Sequence, residues 1–304
     1  MTDVRCALRP EGQREELATA VVEGGGRVVG LSEANALIWT STGQPDELRA
    51  LLDEHPDIRW VQLPFAGIEP FTGVLDQDRA WTCGKGVYAE PVAEHALALA
   101  LGGLRGIGRY AARSAWSEPY GLNLLGAHVC ILGGGSITRS LVRLLLPFGT
   151  YLTVVRNRAE PIPGVAEVFA LDELHRAMAQ ADVVILALAL TPSTEGIIDA
   201  AAIDAMPDHT WLVNVARGRH IDTDALVAAL DDGRLGGAAL DVTDPEPLPE
   251  GHPLWSRENV IITPHVGNTP EMGIKLLWAR VRENVERFGR GEELLGPVHV
   301  ELGY

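Results

Sequence analysis

The chain carries a series of short, almost purely apolar runs separated by longer segments of helical periodicity. The clearest are "AHVCIL" (127–132), "YLTVV" (151–155), "DVVILALAL" (182–190), "TWLVNV" (210–215), "GAALDV" (237–242) and "NVIITP" (259–264). Strand-length runs that are apolar on both faces belong to sheets covered on both sides, and such sheets are parallel with helical crossovers. Six in succession predict one α/β domain built on a doubly wound parallel sheet. A separate series precedes it: "VRCAL" (4–8), "NALIWT" (35–40) and "IRWVQL" (58–63). These runs alternate with the amphipathic stretches "REELATAVVEG" and "PDELRALLDE", the second opening on Pro45 at a helix start.

The 304 residues suffice for two domains. With 46% hydrophobic and 22% charged residues, the composition is that of a globular chain. The run "VVILALAL" is far shorter than the roughly 20 residues of a membrane span, and the N-terminus has no apolar core of signal-peptide type. A net charge of −16 repels phosphate backbones, so neither nucleic acid nor membrane is an expected partner. An anionic small molecule would need a local basic group. Cys6, Cys83 and Cys130 are few, odd in number and widely spaced, which suits a reducing compartment, and the cytoplasm is expected. Cys130, inside an apolar run, is expected to be a buried, inert thiol. The histidines lack metal-ligand spacing, and no metal site is expected.

Beyond residue 270, Ile274, Leu277, Val281, Val285 and Phe288 recur at three- and four-residue steps and give a helix one apolar face. Its natural partner is the first domain, which makes that domain discontinuous. The expected boundaries are 1–93 with 269–304 for a substrate-binding domain and 94–268 for a dinucleotide-binding domain. The chain reaches Tyr304 soon after this helix, so no appended regulatory domain is expected.

After the first strand of the second series comes "LGGGSITRSL" (132–141). Gly133 and Gly135 occupy the first two glycine places of the dinucleotide fingerprint G-x-G-x-x-G, and Thr138 stands in the third. The first two glycines make the turn and admit pyrophosphate to a helix N-terminus at Ser136 and Ile137. Thr138 puts a β-branched side chain where helix and strand pack closely, and a slightly displaced helix is expected. About 20 residues on, NAD enzymes place an acid at the end of the second strand for the ribose hydroxyls. This chain reads "VVRNRAE", with Arg156, Asn157 and Arg158. Two readings stand: a solvated strand end, or a site for the 2′-phosphate of NADP(H).

Three further stretches follow the last three strands: "NVARGRHID" (214–222), "LDVTDPEPLPEGHPLW" (240–255) and "TPHVGN" (263–268). Open α/β sheets bind ligands at these carboxyl ends. They supply Arg217, Glu246 and His265, which suit hydride transfer at C2 of a 2-oxo or 2-hydroxy acid. His265 exchanges a proton with the C2 oxygen, Glu246 orients its ring, and the planar fork of Arg217 clamps the carboxylate. The competing readings are a structural histidine, a solvated Glu246, and an Arg217 paired with Asp222 or Asp241.

The motifs N-x-x-R-G (Asn214–Gly218), D-x-x-x-x-E-P (Asp241–Pro247) and T-P-H (Thr263–His265) follow a glycine loop in that order. In this the chain resembles, over essentially its whole length, the D-isomer-specific 2-hydroxyacid dehydrogenase family. The resemblance implies a flavodoxin-like substrate domain split between the two ends and an inserted Rossmann domain binding NADP or NAD. It places Ala66 and Gly67 of "FAGIE" (65–69) on the substrate carboxylate and Asp241 on the nicotinamide carboxamide. Val215, Ala216, His265 and Gly267 join the expected cofactor contacts. "VAEH" (92–95) matches an inter-domain helix, and "LALTPST" (188–194) a cofactor-side turn with Pro192 and Thr194 in place. Phe65, Ile68 and Trp60 are expected around the substrate side chain. A homodimer is implied by the same resemblance.

The expected function is an NADPH-preferring reductase of small 2-oxo acids such as glyoxylate and hydroxypyruvate. The alternatives are a dinucleotide-sensing binding protein of co-repressor type, a phosphoglycerate-dehydrogenase-like enzyme without a regulatory domain, and an inactive relative, which only Thr138 favours.

Overall fold

A computed structural model describes residues 2–10 and 15–300. Arg14, the first residue of the predicted helix at 14–24, lies outside them, as does Tyr304. The chain forms two compact units, Met1–Tyr88 with Thr269–Tyr304, and Ala89–Asn268.

The first unit contains β1 (Arg5–Arg9), α1 (Glu15–Glu23), β2 (Arg27–Val28), β3 (Ala36–Trp39), α2 (Pro45–Glu54), β4 (Trp60–Gln62) and β5 (Ala80–Thr82). The second contains α3 (Ala89–Leu104), α4 (Ile107–Ala111), β6 (His128–Leu132), α5 (Ser136–Leu145), β7 (Tyr151–Val155), β8 (Glu167–Phe169), α6 (Leu174–Met178), β9 (Val183–Leu186), α7 (Ala200–Asp204), β10 (Trp211–Asn214), α8 (Thr223–Asp231), β11 (Gly237–Leu240) and β12 (Val260–Ile262). The chain then returns to the first unit in α9 (Pro270–Arg290). The position expected for the domain boundary, 93/94, falls inside α3, which starts the second unit five residues earlier at Ala89.

In the first unit the strands run in parallel in the order β2-β1-β3-β4-β5, the flavodoxin-like order. The apolar runs located β1, β3 and β4. They missed β2, both of whose residues are exposed, and β5, which begins at exposed Ala80. Helix α9 has Thr269 as its N-cap, Pro270 in its first turn and Gly291, at φ 69°, as its C-cap. Its Leu277, Val281 and Val285 complete a core with Val4, Cys6, Leu17 and Val21, and Ile274 and Phe288 pack at the edge.

Polar side chains fix where α9 and the segment after it rest. Asn284 is fully buried; it donates to Gln62 Oε1 (2.9 Å) and accepts from the Leu295 amide (2.8 Å). Thr82 donates to the same Gln62 oxygen (2.9 Å) and accepts from the Trp60 indole (2.8 Å). Trp60 is therefore a core residue, its ring tilted against Phe288 with centroids 5.3 Å apart, and Ile68 is only 2% exposed. Contrary to expectation both are buried, Trp60 because β4 is covered on both faces and Ile68 in the cluster with Leu37, Val61 and Phe71; Phe65 alone of the three is part-exposed.

The second unit holds seven parallel strands in the order β12-β11-β10-β9-β6-β7-β8, with a core on each face. Six were legible as apolar runs. The seventh, β8, is a three-residue edge strand beginning at an exposed glutamate. The order reverses direction between β6 and β9, so the loop after β6 borders the crevice where such sheets bind ligands. Cys130 is fully buried on β6, and burial pushes its thiol up to about 12. Among the described residues no helix is long and apolar enough to cross a membrane.

Replacing Asn284 with alanine leaves the part-buried Leu295 amide without its acceptor and empties a fully buried polar position. Urea unfolding should show the variant less stable by roughly 1–3 kcal/mol, the usual effect of an unsatisfied buried polar group. A difference below about 0.5 kcal/mol would mean that α9 is held by its apolar face alone.

Candidate active site

Three adjacent strands, β10, β11 and β12, deliver the residues expected to carry chemistry, each just past its carboxyl end. After β10 the chain makes a tight loop stapled by Asn214. This buried amide accepts from the Ala216 N–H (3.0 Å) and donates to the Arg217 carbonyl (2.8 Å). Gly218 then passes so close to the next loop that a Cβ would lie 2.0 Å from the Thr243 carbonyl. The N-x-x-R-G pattern is thus a device for presenting Arg217. Arg217 Nη1 donates to the Ala216 carbonyl (2.7 Å), and Asp222 caps α8 by accepting from the Ala225 amide (3.0 Å).

Asp241, the first residue beyond β11, is 3% exposed and organises the loop after β12. Its carbonyl accepts from the His265 amide (2.8 Å). Its carboxylate accepts from the amides of Val266 (2.8 Å) and Gly267 (2.9 Å) and from the Thr263 hydroxyl (2.6 Å). Three successive amides can converge on one residue only if the backbone curls, and His265 accordingly has φ 53°. A left-handed histidine is an uncommon, strained conformation of the kind that structures hold in place at functional sites. Burial pushes the Asp241 carboxyl up, but bonds from His95, Thr263, Val266 and Gly267 outweigh it and hold the pKa at about 2.

The His265 ring points back over the β11 loop. Its Nδ1 lies 2.7 Å from Glu246 Oε1, and both side chains are about half exposed, at 50% and 43%. An ionised glutamate accepts only, so Nδ1 carries the hydrogen and Nε2 is left to exchange a proton with a substrate. The expected His265–Glu246 partnership is therefore present as a geometry.

On the other side of the sheet's centre, the glycine loop follows β6. Gly133 has φ 115°, and a Cβ there would lie 2.3 Å from the Ala187 carbonyl. A Cβ at Gly135 would meet nothing within 4 Å, and no side chain caps α5. The unfilled space at Gly135 and the uncapped first turn at Ser136 and Ile137 fit a pyrophosphate. Thr138 is fully buried and donates to the Gly133 carbonyl (2.8 Å), so the residue in the third glycine place ties the loop to the helix. The Gly133 amide donates to Val155 at the end of β7 (2.8 Å) and brings Arg156 alongside. Arg156 packs on Gly134, where a Cβ would approach its side chain to 2.8 Å, and its guanidinium lies 3.7 Å from Glu160. Asn157 and Arg158 are exposed; Val215 and Ala216 are buried beneath the loop before Arg217. In the turn at 188–194, Thr194 donates to the Ala189 carbonyl (2.8 Å) and accepts from the Thr191 amide (2.8 Å).

In the first unit, Ala66 and Gly67 follow β4 in a loop anchored by Tyr88, whose hydroxyl donates to the Pro64 carbonyl (2.7 Å). Among the described residues no cluster of histidine, cysteine or acidic side chains fits a metal ion.

Residues 96–267 match the family model described as the NAD binding domain of D-isomer specific 2-hydroxyacid dehydrogenase. The chain belongs to that family. A protein from Corynebacterium melassecola, named only by its position in the proB 3′ region, is 38% identical over 95% of this chain and 97% of its own length. Glyoxylate/hydroxypyruvate reductase A of Photorhabdus laumondii is 31% identical over 69% of this chain and 68% of its own. Among solved structures, a D-isomer specific 2-hydroxyacid dehydrogenase from Xanthobacter autotrophicus, in complex with NADPH and MES, aligns over 100% of both chains with a TM-score of 0.86 at 24% identity. The protein is thus an NAD(P)-dependent D-2-hydroxyacid dehydrogenase.

Sequence reasoning attached no chemistry to His95 or to the Thr263 hydroxyl of this dehydrogenase. His95 Nε2 lies 3.0 Å from Thr263 Oγ1 and 3.2 Å from Asp241 Oδ1. The partners are 168 positions apart in sequence, and nothing local in "VAEH" announces the contact.

The depressed Asp241 pKa makes the loop acid-sensitive in a defined window. A carboxyl whose folded pKa lies below its unfolded value adds stability above the unfolded value and loses it as pH falls through the folded one. Here the contribution is present above 3.8 and fades toward about 2. An Asp241→Asn variant should therefore be less stable than wild type at neutral pH, and the gap should shrink across that window. A gap independent of pH would show that the carboxylate's charge contributes nothing to holding the loop.

Proposed function

We propose that this dehydrogenase reduces small 2-oxo acids of the glyoxylate and hydroxypyruvate kind and prefers NADPH. The observation that carries the catalytic reading is the His265–Glu246 bond at 2.7 Å, made by a histidine held in a left-handed turn at the carboxyl end of the sheet. The relative named glyoxylate/hydroxypyruvate reductase A supports the substrate class.

In this reading the nicotinamide dinucleotide, when bound, supplies the hydride. His265 delivers a proton from Nε2 to the C2 oxygen, and Glu246 keeps the ring in the right tautomer and stabilises its cationic form. Arg217 binds the carboxylate and polarises the C2 carbonyl. In a chain of net charge −16, such a cation is what admits an anionic substrate. The amides at Ala66 and Gly67 are assigned to the same carboxylate on the family resemblance alone. The dinucleotide is assigned to the Gly133–Ile137 loop through its pyrophosphate. Asp241 Oδ2, with one amide donor among its contacts, retains acceptor capacity for the carboxamide.

Steady-state kinetics with glyoxylate, hydroxypyruvate and pyruvate test the reading. His265→Ala should lower kcat by at least ~10² with dinucleotide binding near wild type. Arg217→Lys keeps the charge but loses the fork, so it should raise KM and lower kcat together. Wild-type kinetics in either variant would remove that residue from the mechanism.

Cofactor preference is assigned to Arg156, lying on Gly134, with Arg158 nearby. Charge-assisted bonds to a 2′-phosphate of about 1.5–3 kcal/mol each would together give a preference of tens- to thousands-fold for NADPH over NADH. Arg156→Asp should invert the ratio of kcat/KM values. Equal wild-type values for the two cofactors at low salt would return "RNR" to a solvated strand end.

A further inference from the structure

The His95 contact has a determinate hydrogen-bond pattern. Asp241 is ionised and accepts only, so the single Thr263 hydroxyl hydrogen goes to Asp241 Oδ1 (2.6 Å). Thr263 Oγ1 is then an acceptor toward His95, and His95 Nε2 must carry a hydrogen. That hydrogen is shared between Thr263 Oγ1 at 3.0 Å and Asp241 Oδ1 at 3.2 Å. Nε2 carries it in both the neutral Nε2–H form and the cation, so the link survives protonation of the ring. The His95 side chain is 21% exposed and Asp241 3%, so water competes weakly for these bonds. Gly267 leaves no room to spare on the same side: a Cβ there would lie 3.1 Å from Asp241 Oδ2 and 3.7 Å from the His95 ring.

We propose that His95, on α3, is a positioning residue for His265. Its Nε2–H fixes the Asp241 carboxylate and the Thr263 hydroxyl. These in turn hold the amides of Val266 and Gly267 and the left-handed turn that aims the His265 ring at Glu246. Val266 and Gly267 bond opposite oxygens of that carboxylate, so the turn needs both oxygens at once, and His95 is the fourth donor that holds them in place. The role in catalysis rests on the reading of His265 as the acid–base group; the role in holding the loop does not.

The test compares His95→Phe, which keeps a ring but has no donor, with His95→Gln, whose Nε2 amide reaches the position of the imidazole Nε2. Kinetics with glyoxylate and NADPH are read beside amide hydrogen exchange across residues 263–268. His95→Phe should speed exchange at Val266 and Gly267 by roughly tenfold or more. It should lower kcat on the order of 10- to 100-fold, the scale of a small misplacement of a catalytic group, with KM changed far less. His95→Gln should restore both readouts to within about threefold of wild type. Should His95→Phe fail to fold, His95→Leu removes the same donor with a smaller apolar side chain and should give the same pattern. Wild-type exchange in His95→Phe or, where that variant is unfolded, in His95→Leu overturns the proposal, as does a His95→Gln variant as impaired as the donor-less one. If His265→Ala is fully active, the acid–base reading fails, and the exchange rates still decide whether His95 holds the loop.

Discussion

Asp241 is the hinge of the site. A single residue at the end of β11 takes up the amides of His265, Val266 and Gly267 and the hydroxyl of Thr263, and so joins the carboxyl ends of two neighbouring strands. Its own amide donates to the Asn214 carbonyl (2.9 Å), which extends the link to β10. The three loops that supply Arg217, Glu246 and His265 are therefore one hydrogen-bonded body rather than three independent excursions. This is what an acid–base pair needs. A side chain half exposed to solvent holds a fixed geometry only if the backbone beneath it is over-determined.

The glycine loop solves a related problem with a different device. Gly133 is required by the Ala187 carbonyl that faces it, whereas Gly135 is required by nothing in the protein itself. A glycine with open space where its Cβ would be, at the start of an uncapped helix, leaves room for something that is not protein. Thr138 shows that the third glycine of the fingerprint can be replaced. Its hydroxyl bonds the Gly133 carbonyl and turns a steric difficulty into a tie between turn and helix.

What was legible in the sequence follows from how local each signal is. Six strands of the large sheet could be read because they are apolar nearly throughout; β2, β5 and β8 could not, because each begins on an exposed residue and none forms an unbroken apolar run. The return of α9 could be read from its single apolar face, but its seat depends on Asn284 and Gln62, polar residues 222 positions apart. Trp60 was misread for the same reason: an aromatic near a binding loop looks like a pocket wall until its indole is found bonded to Thr82 in the core. Arg217, Glu246 and His265 could be singled out because each lies in a motif beside a strand end. His95 could not, since its partners are supplied by tertiary structure alone.

The charge distribution bears on the cofactor reading through a competition that magnitudes decide. Much of the basic surface is already engaged: Arg27 with Asp3, Arg219 with Glu195, Arg234 with Asp204 and Arg257 with Asp231 all form close pairs. Arg156 differs in degree. Its acid, Glu160, is four residues away, 63% exposed and 3.7 Å from the guanidinium. An exposed pair of that kind contributes ~0–1 kcal/mol, whereas a charge-assisted bond to a dianionic phosphate contributes about 1.5–3 kcal/mol. Under the proposed NADPH preference the phosphate would win that exchange, and the arginine would have little distance to move, because its side chain already rests on Gly134.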